Sequence, residues 1–188
     1  MKGRIHGILP IERNGIFKLN CPMIFQKLII EWLSKVRIKK HSVQVEGFNK
    51  IKNIVIIINL DEKKTCDLEA LIHSFEALGK NVECIGVTLI GKYFVKKGMK
   101  IIRNTDFSLL GKPKTAWIQQ FFNMKSDYAL LIDRSSNYLI NHVAIHCKAN
   151  CYIGYKSVPE NELLTLQLTA LLEKEDEVFL RYIKLIKS

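Results

Sequence analysis

The chain has 188 residues, of which 48% are hydrophobic and 25% are charged. This composition is typical of one globular domain and excludes a chain that is disordered throughout. No segment reaches the ~18 apolar residues of a membrane span, and the N-terminus lacks the apolar run of a signal peptide. A cytoplasmic location is therefore expected. The five cysteines suggest no disulfide scaffold and are interpreted as reduced thiols without a disulfide partner. No cofactor is expected.

The net charge of +11 is unevenly distributed along the chain. Residues 1–52 contain eleven Lys and Arg against three acidic residues, whereas the remainder contains 18 basic and 15 acidic residues. Such asymmetry predicts an anionic partner, which the sequence leaves open between RNA, or a ribonucleoprotein, and the inner membrane surface. The other interpretation is a solvated basic face that keeps the protein in solution.

The N-terminal part divides into two predicted segments. Residues 1–21 show no periodicity and are expected to be a loose leader, and residues 22–42 predict a basic amphipathic helix. Apolar side chains recur in it with helical spacing, at Phe25, Leu28, Ile29, Trp32, Leu33 and Val36. This stripe is expected to pack on the rest of the protein; the alternative is that it lies on an anionic membrane or docks into a partner. Candidate contacts to an anionic partner are Lys35, Arg37, Lys39 and Lys40.

Residues 50–188 predict a single α/β domain. IKNIVIIINL and VECIGVTLIG have the composition of buried strands and flank a helical pattern over residues 67–78. Further strands are predicted at KIIRN, DYALLID, CYIGY and LTLQLT. Further helices are predicted at TAWIQQFFNM, at residues 137–149 and at EVFLRYIKLIK. This alternation predicts a three-layer sandwich around a mainly parallel, Rossmann-like sheet of five or six strands.

Polar clusters follow two of the predicted strands, where ligands bind in open parallel sheets. The first begins at Asp61 and the second is the segment Asp133, Arg134, Ser135, Ser136 and Asn137. A serine or Asn137 could cap the next helix, whose N-terminus would favour an anion such as a nucleotide or sugar phosphate, with added charge from Arg134. The alternative is an ordinary helix cap with a surface Asp-Arg pair. Asp61 and Asp133 could also meet as an acid–base pair.

Motifs of common enzymes and nucleotide-binding proteins are absent, namely GxGxxG, GxxxxGK[ST], GxSxG and HExxH. The favoured function is therefore a non-catalytic protein that docks on an anionic partner through its N-terminal arm. The alternative is a small enzyme or ligand-binding domain that uses the loop at Asp133–Asn137. A second basic cluster could contact phosphates without base specificity, through Lys96, Lys97 and Lys100.

The segment NHVAIHCKANC contains four side chains that could bind a metal, His142, His146, Cys147 and Cys151. Helical spacing places Cys147 on the apolar face of the predicted helix and both histidines toward the other side. Cys151 is expected to begin the next strand. These four side chains do not converge on one zinc ion, so no metal site is expected. A pair of His142 and His146 with a third ligand is the alternative.

Three segments, DFSLLGKPK, FFNMKSDYALLID and NHVAIHCKANCYIGYK, resemble an uncharacterised domain family of Bacteroidota, over about residues 22–187. The shared features are a Gly-Lys-Pro turn, a helix, a strand with Asp near its start, and a helix before a strand ending in Ile-Gly. This resemblance implies an α/β fold and assigns no catalytic residue. The run DYALLIDRSSNYLINHVAIHCKANCYIGY is also similar to a segment in the N-terminal half of heptosyltransferase-type glycosyltransferases, which bears on the fold more than on the chemistry.

Overall fold

The structure is a computed structural model that describes residues 21–38, 46–62, 66–91, 99–135, 137–155, 162–168, 179 and 181. The described residues contain six strands: β1 (Asn53–Asn59), β2 (Asn81–Thr88), β3 (Lys100–Arg103), β4 (Tyr128–Ile132), β5 (Cys151–Tyr155) and β6 (Leu166–Leu168). Four helices accompany them: α1 (Cys21–Ile38), α2 (Leu68–Glu76), α3 (Ala116–Phe122) and α4 (Tyr138–His146). A short 3₁₀ turn spans Asn104–Asp106.

The six strands form one sheet in the order β3-β2-β1-β4-β5-β6, and every neighbouring pair is parallel. This confirms the predicted α/β class and the parallel sheet. The order reverses between β1 and β4, so the connections after these two strands diverge in opposite directions. The carboxyl ends of β1 and β4 therefore border a crevice, the switch point at which such sheets bind ligands.

Both faces of the sheet are covered, which explains why its strands are almost continuously apolar. Val55 and Ile57 of β1 belong to the core cluster on the side of α3 and α4. Ile54 and Ile56 belong to the opposite cluster, which includes α2 and the buried side chain of Phe179. The fold thus has three layers, as predicted.

Helix α1 lies outside these layers and packs against α4. Because α1 covers this side of α4, burial in α4 is not limited to its apolar face. His142 lies on the other side of the helix and is also buried. Its Nε2 lies 3.1 Å from the carbonyl oxygen of Gly111, and its ring meets that of Phe107 edge-on. Because a carbonyl oxygen only accepts, Nε2 is the nitrogen that carries the proton in this contact.

The prediction that the apolar stripe of α1 packs on the domain is wrong for most of its members. Phe25, Leu28, Trp32 and Val36 are exposed, and only Ile29 and Leu33 are partly buried. The face that contacts the domain is instead a mixed seam, formed by the buried residues Gln26, Ile30 and Ser34.

The position of Gln26 explains this orientation of α1. Its Nε2 lies 3.3, 3.2 and 3.1 Å from the carbonyl oxygens of Asn104, Phe107 and Ser108. Its Oε1 accepts a hydrogen bond from Nδ2 of Asn104 at 3.1 Å. A buried glutamine with these contacts satisfies backbone groups that an apolar side chain would leave without a partner.

The end of α4 differs from the predicted limit of residue 149. The helix ends at His146, and Lys148 has a left-handed backbone with φ +48°. Cys147 is fully buried and Cys151 begins β5, as predicted. The predicted closing helix lies mainly outside the described residues, including Val178, Tyr182 and Ile186, as does most of the predicted leader.

Candidate functional site

Four polar side chains meet at the switch point, and we call them the switch-point cluster: Asn59, Glu62, Asp133 and Ser135. Asn59 is the last residue of β1 and Asp133 directly follows β4. The Nδ2 of Asn59 donates to Oδ1 of Asp133 at 2.9 Å and lies 3.2 Å from Oε1 of Glu62. The hydroxyl of Ser135 lies 3.0 Å from the same nitrogen and donates to Oδ1 of Asp133 at 2.8 Å. One buried amide therefore holds two carboxyl groups together.

The backbone amides of the loop after β4 are occupied by these carboxylates. Glu62 accepts from the amides of Arg134 at 3.0 Å and Ser135 at 2.8 Å. Asp133 accepts from the amides of Ser135 at 3.1 Å and Asn137 at 2.7 Å. The donors that the sequence suggested for an external anion thus already have anionic partners within the protein.

The remaining predicted members of this loop are Arg134, Ser136 and Asn137. Asn137 caps the helix, because its Oδ1 accepts from the amide of Leu139 at 2.9 Å. The guanidinium of Arg134 lies 5.1 Å from the ring centroid of Tyr155. Ser136 lies outside the described residues. The geometry resembles the predicted ordinary cap more than an open anion site.

Burial raises the pKa of Glu62, and the adjacent carboxyl of Asp133 raises it further. The hydroxyl of Ser135 and the amide of Arg134 act in the opposite direction, because they stabilise the ionised form. Two carboxyl groups in contact resist simultaneous ionisation. Glu62 therefore takes up a proton more readily than an exposed glutamate.

Asp61 faces away from this pair and binds the end of β2. Its carboxylate accepts from the hydroxyl of Thr88 and from the amide of Leu89 at 2.6 Å. The carboxylate that joins Asp133 is Glu62, one residue further along the chain. A polar Asn59 directly after the apolar run of residues 54–58 is the sequence signal that could have identified the cluster.

The predicted basic contacts fall into three groups. Lys35 is exposed on α1, and Arg37 lies in the last turn of that helix. Lys100 forms an ion pair with Glu83, in which Nζ lies 2.9 Å from Oε1. The other predicted contacts lie outside the described residues, namely Lys39, Lys40, Lys96 and Lys97.

The two histidines of α4 form ring contacts. Their ring centroids are 4.8 Å apart and roughly perpendicular, and His146 stacks on Phe122 at 4.1 Å. Within the part of the chain that the structure describes, no three His, Cys, Asp or Glu side chains come together as a metal would require. These contacts give His142 and His146 packing roles.

The exposed side of α1 is the largest departure from the sequence interpretation. Five apolar side chains, which we call the docking face, lie on one arc of about 120°: Ile24, Phe25, Leu28, Trp32 and Val36. Leu28 and Trp32 are 58% and 64% exposed. Of the helices that the structure describes, none combines the length and apolar character needed to cross a bilayer.

Comparison with known proteins identifies a family but no activity. No curated protein and no solved structure gives a significant match. A model described as a family of unknown function (DUF6913) matches residues 26–187, from α1 to the C-terminal region. This match covers most of the 188 residues. The chain therefore belongs to this family of unknown function.

Proposed function

We propose that the protein is a peripheral membrane protein that binds anionic lipid at the cytoplasmic surface through α1. The observation that carries this proposal is the docking face, exposed on a helix whose opposite side is fixed to the domain. Ile30 and Ser34 anchor that side and are buried. The helix therefore presents its apolar arc in a fixed orientation, which lowers the entropic cost of binding.

Charge supports a membrane as the partner. Residues 22–42 contain five basic residues and one acidic residue, Glu31. Helices of this type lie in the bilayer interface with the apolar side ~5–10 Å below the headgroups and basic residues near anionic lipid. Each Lys or Arg near such a surface contributes about 1 kcal/mol. Binding to an anionic membrane would thus involve both the docking face and the basic residues of this segment.

Binding to RNA would involve only part of this surface. Phosphates would attract the basic residues of the arm, but Ile24, Leu28 and Val36 would stay in water. Single-strand binding proteins combine a basic groove with a series of aromatic stacking residues, whereas the docking face has two aromatic residues, Phe25 and Trp32. Non-catalytic docking on a membrane accounts for both features of α1.

The alternative is a small Rossmann-like enzyme or binding domain for an anionic metabolite. The switch-point position of Asp133 supports it. The local charge opposes it, because the amides of Arg134, Ser135 and Asn137 bind carboxylates. A nucleotide or sugar phosphate would have to displace Glu62 or Asp133 from these amides and approach their negative charge.

Vesicle sedimentation of the full chain tests the membrane proposal. We expect binding to vesicles with 30 mol% phosphatidylserine and much weaker binding to phosphatidylcholine alone. Leu28→Ser with Trp32→Ser should weaken binding at least about tenfold, since two apolar side chains would no longer enter the interface. Both positions are exposed, so the thermal unfolding midpoint should change little.

The matched control is Leu78→Ser, at an exposed leucine beside α2 on the other side of the sheet. It should bind vesicles like the wild type. Equal binding by the Leu28/Trp32 variant and the wild type would refute the proposal. Strong binding to a single-stranded RNA that is insensitive to this variant, without vesicle binding, would instead establish the RNA interpretation.

A further inference from the structure

A groove of about 730 Å³ opens beside the inner edge of α1, between α4 and the loop at residues 108–113. Its volume is in the range of small-molecule sites, ~300–1,000 Å³. The residues that line it come from α1, α3, α4 and their connecting loops, and they include Leu33, Leu110, Lys112, Phe122, Ile145, His146 and Lys148. The groove is distinct from the switch-point cluster.

The lining combines an apolar floor with a basic rim. Phe122 and Ile145 are buried, and the ring of His146 stacks on Phe122. Lys112 and Lys148 are exposed. None of the lining residues within the described chain is an Asp or Glu. The groove is thus complementary to a molecule with a negative group and an apolar part.

Lys148 adds a second observation, from the backbone. Its φ of +48° lies in the left-handed region directly after the end of α4. Glycine, or sometimes asparagine, adopts this conformation at helix ends with little strain, and lysine does not. The chain therefore accepts local strain at a residue that lines the groove and has a cationic side chain. Strain of this kind is concentrated at functional sites.

We propose that this groove binds the phosphate monoester of an apolar or amphipathic molecule. The ammonium groups of Lys112 and Lys148 would donate to the phosphate oxygens, as lysine does in phosphate sites. The apolar part would lie against Leu33, Leu110 and Phe122. A free organophosphate and the headgroup of phosphatidic acid share this chemistry. The proposal does not depend on membrane docking by α1.

Titration of the ¹⁵N-labelled full chain with hexyl phosphate tests the site. We expect saturable shifts of the amide signals of Gly111, Lys112 and Lys148. Lys112→Gln and Lys148→Gly should each raise the Kd about threefold to tenfold, as expected for loss of one charged contact. Lys148→Gly should also raise the thermal unfolding midpoint, because glycine relieves the strained backbone. A variant that is more stable but binds less cannot be explained by misfolding.

Lys125→Gln is the matched control, because this exposed lysine does not line the groove; its Kd should equal that of the wild type. Hexanol should bind more weakly than hexyl phosphate. Hexyl phosphate saturation supports a free organophosphate. A preference for vesicles with phosphatidic acid over phosphatidylserine supports phosphatidic acid as the ligand. This preference should be lost in Lys112→Gln and Lys148→Gly and retained in Leu28→Ser with Trp32→Ser. The absence of both responses, or equal binding of hexanol, overturns the proposal.

Discussion

The carboxyl group of Glu62 is held beside that of Asp133 by the amide of Asn59, and this contact opposes ionisation. Burial is the main cause of the raised pKa of Glu62, and Asp133 adds to it. Because the pKa is higher in the folded chain than in the unfolded chain, the folded state binds more protons between the two values. The favourable contribution of Glu62 is therefore complete below the unfolded value near 4.5 and is lost as pH rises through the folded value.

Glu62→Gln should stabilise the protein at neutral pH. Glutamine still accepts from the amides of Arg134 and Ser135, and its amide group can donate to Asp133 without charge repulsion. We expect the free energy of unfolding in urea to rise by about 1 kcal/mol or less at pH 7.5, since Glu62 is only partly buried. At pH 4, where Glu62 is mostly protonated, the gain should vanish.

Glu69→Gln is the control for this experiment. Glu69 is exposed in the first turn of α2, where a carboxylate interacts favourably with the helix dipole. Its removal should leave stability unchanged or slightly lower at pH 7.5. A loss of stability in Glu62→Gln at that pH would show that the ionised carboxylate is required by the loop, and would contradict the repulsion described for the cluster.

At the scale of the elements, the strands and the start of α4 were predictable because local patterns determine them. Residues 54–58 of β1 and the whole of β4 are continuous apolar runs, since both of their faces are buried. Asp67 caps α2, and the left-handed Gly79 follows its end. The order of residues was enough to place Asp133 at a strand end and a helix cap within residues 135–137, while the structure identifies Asn137 as the cap.

The orientation of α1 and the pairing of Glu62 could not be predicted, because nonlocal contacts determine both. Helical periodicity identifies an apolar arc but not the surface that covers it. The carbonyl groups that bind Gln26 lie 78 to 82 residues further along the chain. Similarly, Asp61 and Glu62 look equivalent in sequence, and the turn after β1 decides which one reaches Asp133.

Gln26→Leu should weaken the attachment of α1 to the domain. Leucine keeps the volume of the side chain but leaves the carbonyls of Asn104, Phe107 and Ser108 without their donor. Buried polar groups without partners cost ~1–3 kcal/mol. Hydrogen exchange of the α1 amides should become faster, while exchange in β1 and β4 should change less.

Gln120→Leu, on the exposed side of α3, is the matched control and should leave exchange in α1 unchanged. If Gln26→Leu also left the exchange of α1 unchanged, the hydrogen bonds of Gln26 would not determine the orientation of the helix. The docking face would then require another explanation, because Ile30 and Ser34 alone would have to hold α1 in place.

At the scale of the whole molecule, most of the net charge and the exposed apolar side chains of α1 occur in the same part of the sequence. Residues 1–52 contain most of the net charge of +11, and the docking face lies within the same part of the chain. These two features should respond differently to salt. Coulombic attraction to anionic lipid weakens as the Debye length falls from ~10 Å at 0.1 M, whereas burial of apolar side chains does not depend on such attraction.

Vesicle binding should therefore separate into two components along a salt titration. We would titrate salt from 0.05 to 0.5 M. In the wild type, the affinity for vesicles should fall steeply over the lower part of this range and then level off at a residual value that the docking face supplies. Lys35→Gln with Arg37→Gln should lower affinity at low salt and converge with the wild type at high salt. Leu28→Ser with Trp32→Ser should lower affinity at every salt concentration and keep the wild-type slope. If the serine variant instead converged with the wild type at high salt, the docking face would not enter the bilayer, and charge alone would hold the protein at the membrane.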